Sequence, residues 1–241
     1  VFLGGLAHSG KTELRRCLDE LPGFTWYRKT YLWPRHYGRY GDLSDPAARE
    51  RCFEALRIEP EIATSGVDLD AACAAALRSG PGAGYSALFA EVHRRNAGPG
   101  RWGIQVGGIE AFGPSIMREL PGARFVHLVR DPRHLLADSA LVRLRAQIAA
   151  WRTSADLALD HQGRWPARYL VLRYEDLMLH PVATVETVCS FVGAPFTATV
   201  QAVAAGLSPP LASVDRARRR VLIERSLGAR LGALGYGEGD A

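Results

Sequence analysis

Lysine is almost missing from this chain: of thirty basic residues only Lys11 and Lys29 are lysines, and the rest are arginine. Where the planar guanidinium is the rule, a lysine marks a place that needs a compact, mobile point charge. Cysteine is sparse too. Cys17, Cys52, Cys73 and Cys189 stand far apart, with no CxxC pair and no histidine at metal spacing, which argues for reduced core thiols and against a disulfide framework. Reduced thiols suit a cytoplasmic protein. No apolar run approaches the roughly 20 residues that span a bilayer, and the sequence shows no signal-peptide pattern, although it opens directly on an expected strand, as it would if an upstream segment were left out. The formal net charge of +5 comes without a basic stripe interleaved with aromatics, so an anionic small ligand fits better than nucleic acid. With 47% hydrophobic and 23% charged residues in 241, the expected organisation is one domain, 1–241, burying its own core.

The stretch with the most chemical content lies near the start. Gly5, four residues, Gly10, Lys11 and Thr12 fit the phosphate-loop spacing of glycine, any four, glycine, lysine, then serine or threonine. Such a loop aims backbone N–H groups and the positive end of a helix dipole at one point, where an oxyanion belongs. The apolar run Val1 to Leu3 reads as a strand before it. Leu14, Cys17, Leu18 and Leu21 recur at helical spacing after it.

Further along, Phe24 to Tyr27 reads as a strand, followed by an aromatic and basic loop from Arg28 to Tyr40 that suggests the wall of a pocket. Helices are expected after the Ser44-Asp45-Pro46 cap, over Asp68 to Ser79 and over Tyr85 to Arg95, forming a substrate-side region at about 43–98. His93 is expected at the surface or at a helix end. Trp102 to Val106, Arg124 to Val129 and Tyr169 to Leu172 read as strands, the second delivering Arg130 and the third Tyr174 to the carboxyl rim. A long helix from Ser139 carries Leu141, Leu144, Ile148, Trp151, Ala155 and Leu159 on one face, with Arg143 one turn after Ser139. Strands alternating with helices predict an α/β fold of three layers: a central, mostly parallel sheet, the phosphate loop after strand 1, and flanking helices.

Together, the segments Gly5 to Leu14, Ala123 to Arg133 with Ser139, and Tyr169 to Leu177 with His180-Pro181 resemble the sulfotransferases that use 3′-phosphoadenosine-5′-phosphosulfate (PAPS). The resemblance implies that His8, Ser9, Gly10, Lys11 and Thr12 hold the 5′-phosphosulfate, that Arg130, Ser139, Arg143 and Tyr174 serve the rest of the nucleotide, and that 3′-phosphoadenosine-5′-phosphate (PAP) is the product. Two phosphate positions on one ligand call for two oxyanion sites, and a phosphate loop with an Arg130, Ser139, Arg143 cluster supplies them. Lys11 is the expected catalytic cation. The scheme needs no metal, and the acceptor is a hydroxyl or amine of a small molecule or carbohydrate. Against the family pattern, Asp138 fills the usual serine place, Gln105 stands where a lysine often contacts the transferred group, and Lys29 falls near a catalytic glutamate of the tyrosylprotein sulfotransferases. His36 leads as the base, an imidazole near neutrality on the aromatic loop, with Asp42 and Glu110 as rivals.

Two other readings stay open. A phosphate-loop kinase using ATP would account for Lys11 and Thr12, but it should end a strand in a magnesium-holding aspartate, where Arg130 stands. A degenerate module would hold the nucleotide without turnover.

Overall fold

The computed structural model describes residues 1–28, 30–78, 84–136, 140–208 and 217–237; for Arg28, Leu141 and residues 217–219 it describes the backbone alone. In chain order the first half holds β1 (Phe2–Gly4), α1 (Lys11–Leu18), β2 (Phe24–Arg28), α2 (Leu32–His36), α3 (Pro46–Arg57), α4 (Pro60–Ala63), α5 (Leu69–Arg78), α6 (Tyr85–Ala97), β3 (Arg101–Gln105), a 3-10 turn (Ile109–Phe112) and α7 (Gly113–Glu119). The second half holds β4 (Phe125–Val129), α8 (Pro132–Leu135), α9 (Leu141–Arg164), β5 (Tyr169–Arg173), α10 (Tyr174–Leu179), α11 (Pro181–Val192), α12 (Ala198–Ala205) and α13 (Ala217–Ala233). The strands make one parallel sheet in the order β2-β3-β1-β4-β5, flanked by helices, the α/β architecture that the alternation of elements predicts.

Two compact units divide the chain. The first takes Val1–Phe2 and Pro22–Arg124. In it β2 and β3 pair in register from Phe24 opposite Arg101 to Arg28 opposite Gln105. Asp45 caps α3 by accepting from the N–H groups of Ala47 and Ala48, as the Ser-Asp-Pro sequence signals. The buried carboxylate of Glu119 accepts from the N–H groups of Gly84, Ser86 and Ala87 at the start of α6, where a helix dipole favours negative charge.

Two sequence expectations fail in this unit. The stretch read as a loop from Arg28 to Tyr40 contains α2, and Trp33 within it is fully buried, its Nε1 donating to Ser86 Oγ at 3.0 Å. Three buried ring neighbours, Phe2, Phe89 and His93, outweigh a composition that looks like surface. His93 is 1% exposed; it packs against Tyr27, Trp33 and Trp102, and burial lowers its imidazole pKa to about 3 and keeps it neutral.

The second unit takes Leu3–Leu21 and Phe125–Ala241. All five residues of β4 are buried, as befits a central strand covered on both faces, and it pairs with β5 from Phe125 opposite Tyr169 to Val129 opposite Arg173. His127, fully buried in it, engages Tyr169 Oη at 2.7 Å and Ser154 Oγ at 3.0 Å. Of the apolar stripe predicted for α9, Leu144, Ile148, Trp151 and Ala155 are buried in a core shared with Ile223, Leu227 and Leu231 of α13, Leu159 is half-buried against it, and the Leu141 side chain lies outside the described residues. The described part of α9 begins at Leu141. The four cysteines are buried and free, and no described helix is long and apolar enough to cross a membrane.

Candidate active site

Within the second unit, β1 leads straight into the phosphate loop, which leads into α1. Gly10 is the N-cap of α1 at φ 94°, and Gly5 opens the loop at φ 113°, both in the region that L side chains avoid. His8, exposed, is the one described non-glycine residue with positive φ, at 63°. Such a backbone is costly for a side-chain residue and recurs at functional turns. Lys11 is 7% exposed and its ammonium folds back onto the loop, donating to Gly5 O at 2.7 Å, to Leu6 O, and more weakly to Ser9 Oγ at 3.4 Å. Ser9 is buried and Thr12 exposed.

Arg130 follows β4 and reaches this loop. Its Nη1 donates to His8 O at 3.0 Å, and its guanidinium lies 4.2 Å from the centroid of the Tyr174 ring. Tyr174 opens α10 and is buried, packed so close to Gly10 that a Cβ there would meet its Cδ2 at 2.4 Å. Burial holds its hydroxyl above the usual phenol range, although the Arg130 charge pulls the other way. The sequence-predicted residues His8, Ser9, Gly10, Lys11, Thr12, Arg130 and Tyr174 are thus gathered in one unit. Arg143 sits exposed on the first turn of α9, and Ser139, Asp138 and Lys29 lie outside the described residues.

Two features fit a ligand carrying phosphates at two places. The loop glycines leave a cradle with no room for a Cβ at Gly5 or Gly10. Beside it, Arg130 Nε is buried without a hydrogen-bond partner, a donor that an oxyanion would satisfy. The aspartate next in sequence is differently committed. Asp131 accepts from the N–H of Arg133 at 2.8 Å and from its Nη2 at 2.6 Å, so its carboxylate is committed to an arginine, one residue past the strand-end place where a kinase would present a magnesium ligand.

In the first unit the three candidate bases differ in setting. Both ring nitrogens of buried His36 are engaged: Nε2 with Glu59 Oε1 and Nδ1 with Tyr40 Oη, each at 2.7 Å. Burial pushes the Glu59 carboxyl up, but hydrogen bonds from His36 and Arg35 outweigh it and hold the group below its ordinary range. Asp42 is exposed, and the Ser44 N–H pulls its carboxyl below the usual value, which weakens it as a base. Glu110 is 3% exposed in the 3-10 turn.

The sequence reading missed Glu61. Its Oε1 accepts from Thr30 Oγ1 at 2.7 Å, just past β2, and burial raises its carboxyl to about 7 against that hydrogen bond. Only long-range packing distinguishes it from the other glutamates of the helical region. An acid whose folded pKa exceeds its unfolded value stabilises the fold fully below the unfolded pKa, near 4.5, and loses that contribution as pH rises toward 7. Glu61→Gln is therefore expected to match the parent Tm at pH 5 and exceed it at pH 8, in thermal unfolding followed by circular dichroism. An equal Tm at pH 8 would refute the assignment.

A cavity of about 450 Å³ in this unit opens at the amino ends of β2 and β3, lined by Phe24, Arg101 and Trp102 among others, and none of the motif residues borders it.

A match to the sulfotransferase family spans residues 1–198. Mouse carbohydrate sulfotransferase 3 is 26% identical over 139 residues, a match that takes in 47% of this chain and 29% of that protein. The fold is similar to sulfotransferase STF9 from Mycobacterium avium, with TM-score 0.61 and 14% identity over 98% of this chain and 77% of that one. It is also similar to mouse sulfotransferase SULT7A1, solved in complex with PAP, with TM-score 0.54 and 12% identity over 96% of this chain and 83% of that one. A phosphate loop after β1 and a match over most of its length make this chain a member of the sulfotransferase family.

Proposed function

We propose that the chain transfers the sulfuryl group of PAPS to a hydroxyl or amine of a small-molecule or carbohydrate acceptor and releases PAP. The observation that carries this reading is Arg130 seated on the phosphate loop with a buried, unpartnered Nε, which sets a second anion grip beside the first. PAPS supplies a sulfuryl group already activated by its bond to the 5′-phosphate. The loop N–H groups and the α1 terminus hold that phosphate, and Lys11 swings from the loop carbonyls to the oxygen that gains charge as the bond to sulfur breaks. Arg130, stacked on Tyr174, takes the 3′-phosphate, with Ser139 and Arg143 assigned to the same group.

The acceptor's proton is assigned to His36. With Nε2–H donating to Glu59, the ring presents its lone pair at Nδ1, which Tyr40 Oη covers, so Tyr40 either moves aside or relays the proton. The helical stretch 43–98 is assigned to the acceptor side of the single domain.

Transfer of radiolabelled sulfate from PAPS to a panel of sugars, phenols and amines tests the reading, alongside calorimetric titration with PAP. Arg130→Ala is expected to weaken PAP binding by about 1.5 to 3 kcal/mol, roughly ten- to a hundredfold. Unchanged affinity would show the second anion site to be misassigned. PAP binding without transfer to any acceptor would make the chain a nucleotide-binding module, and magnesium-dependent turnover of ATP would make it a kinase.

A further inference from the structure

The peptide that carries Arg130 is fixed from both sides. Its carbonyl accepts from Trp151 Nε1 at 2.9 Å, and the next N–H, that of Asp131, donates to Glu175 Oε1 at 3.0 Å. The second oxygen of Glu175 accepts from Tyr236 Oη, also at 3.0 Å. Glu175 directly follows Tyr174, on which the Arg130 guanidinium rests. One carboxylate therefore ties the strand-end loop of Arg130 to a tyrosine that follows the last helix.

The local sequence explains how Tyr236 gets there. The buried face of α13, Ile223, Leu227 and Leu231, packs in the core of α9. The helix then stops at Gly235, φ 76°, where the Tyr236 N–H closes back to Leu231 O at 2.8 Å in the manner of a Schellman turn. That turn drives the Tyr236 ring inward to 2% exposure, beneath the Arg173 guanidinium at 4.5 Å. Burial and the neighbouring Glu175 carboxylate raise the phenol far above its ordinary range, so the hydroxyl stays a donor. Arg133 Nη1 donates to Gly237 O at 3.3 Å and anchors the same segment. Of these, α13, Tyr236 and Gly237 lie beyond residue 198, where the family match ends.

We propose that Tyr236, acting through Glu175, is a positioning residue for the nucleotide: it sets the Arg130 peptide so that the guanidinium meets the 3′-phosphate. The inference rests on the proposed function, since it takes PAP as the ligand of Arg130. A hydroxyl removed from the far end of such a chain loosens one hydrogen bond and leaves the ring and its packing in place.

The test is calorimetric titration of PAP and of adenosine 5′-phosphate, which lacks the 3′-phosphate, with the parent chain, Tyr236→Phe, Arg130→Ala and the double variant. Tyr236→Phe is expected to weaken PAP binding about three- to tenfold while affinity for adenosine 5′-phosphate is unchanged. In the Arg130→Ala background it should have no further effect on PAP, because the group it positions is gone. Equal weakening of both nucleotides, an additive loss in the double variant, or unchanged PAP affinity would each overturn the inference and leave Tyr236 a packing residue. If Arg130→Ala loses PAP affinity and Tyr236→Phe does not, this inference alone fails. If the parent chain binds no PAP, the reading beneath it fails and takes the inference with it.

Discussion

Lys11→Ala is expected to lower kcat about a hundred- to a thousandfold while changing PAP affinity less than tenfold, the pattern of a group whose interaction strengthens at the transition state. In the proposed binding mode, backbone N–H groups and the α1 terminus hold the nucleotide at the loop, and the substitution leaves them alone. The ammonium, by contrast, now sits on Gly5 O and Leu6 O, and it gains a better partner only when the bridging oxygen of the leaving phosphate becomes an anion. Lys11→Met keeps most of the stem that fills this buried position and should lose as much kcat as alanine does, which separates charge from packing. Arginine should not rescue it, because a planar fork cannot enter a site sized for a point charge. Single-turnover sulfate transfer and PAP titration on the same preparations read the two quantities separately. A parallel loss in both would mean that Lys11 binds ground state and transition state alike.

The contrast between Lys11 and His36 shows what the sequence made legible. The phosphate loop is a local object: four positions at fixed spacing, a strand before and a helical stripe after, so Gly5, Gly10, Lys11 and Thr12 are readable as a unit. Arg130 was readable because a buried strand, Phe125–Val129, points its next residue at the same rim. The face of α9 followed from its period. What could not be read is what distant segments do to one another. The stretch from Arg28 to Tyr40 has the composition of a surface loop, and α2 exists because Leu32 and Trp33 are buried, Trp33 against residues far along the chain, Phe89 and His93. His36 stands out in the sequence as an imidazole on an aromatic stretch, yet its hydrogen bonding depends on Glu59, twenty-three positions away, and no short motif announces that pairing. Glu175 and Tyr236 are further apart still, sixty-one positions, and meet only because α13 docks on α9.

Gly5→Ala and Gly10→Ala should both remove PAP binding, for different reasons that stability measurements separate. At Gly5 a Cβ would lie 2.2 Å from Leu128 O. That carbonyl belongs to the middle of β4, whose register to β5 pairs Leu128 with Leu172, so the neighbour is backbone and cannot give. Positive-φ strain and overpacking then act together, on the order of 2 to 6 kcal/mol, enough to lower Tm by roughly 10 °C in a chain of this size. At Gly10 the obstacle is the edge of the Tyr174 ring, 2.4 Å away, a side chain that can tilt. Tilting it moves the platform under Arg130, so a single methyl group at the loop should disturb the second anion site as well as the first. Gly10→Ala is accordingly expected to lose PAP affinity at least a hundredfold with a smaller fall in Tm than Gly5→Ala, and to become insensitive to Arg130→Ala. A Gly10→Ala chain that still lost affinity on Arg130→Ala by the parent factor would show the two anion grips to be independent. In that case Tyr174 would be a wall of the phosphate loop without being the hinge that joins it to Arg130.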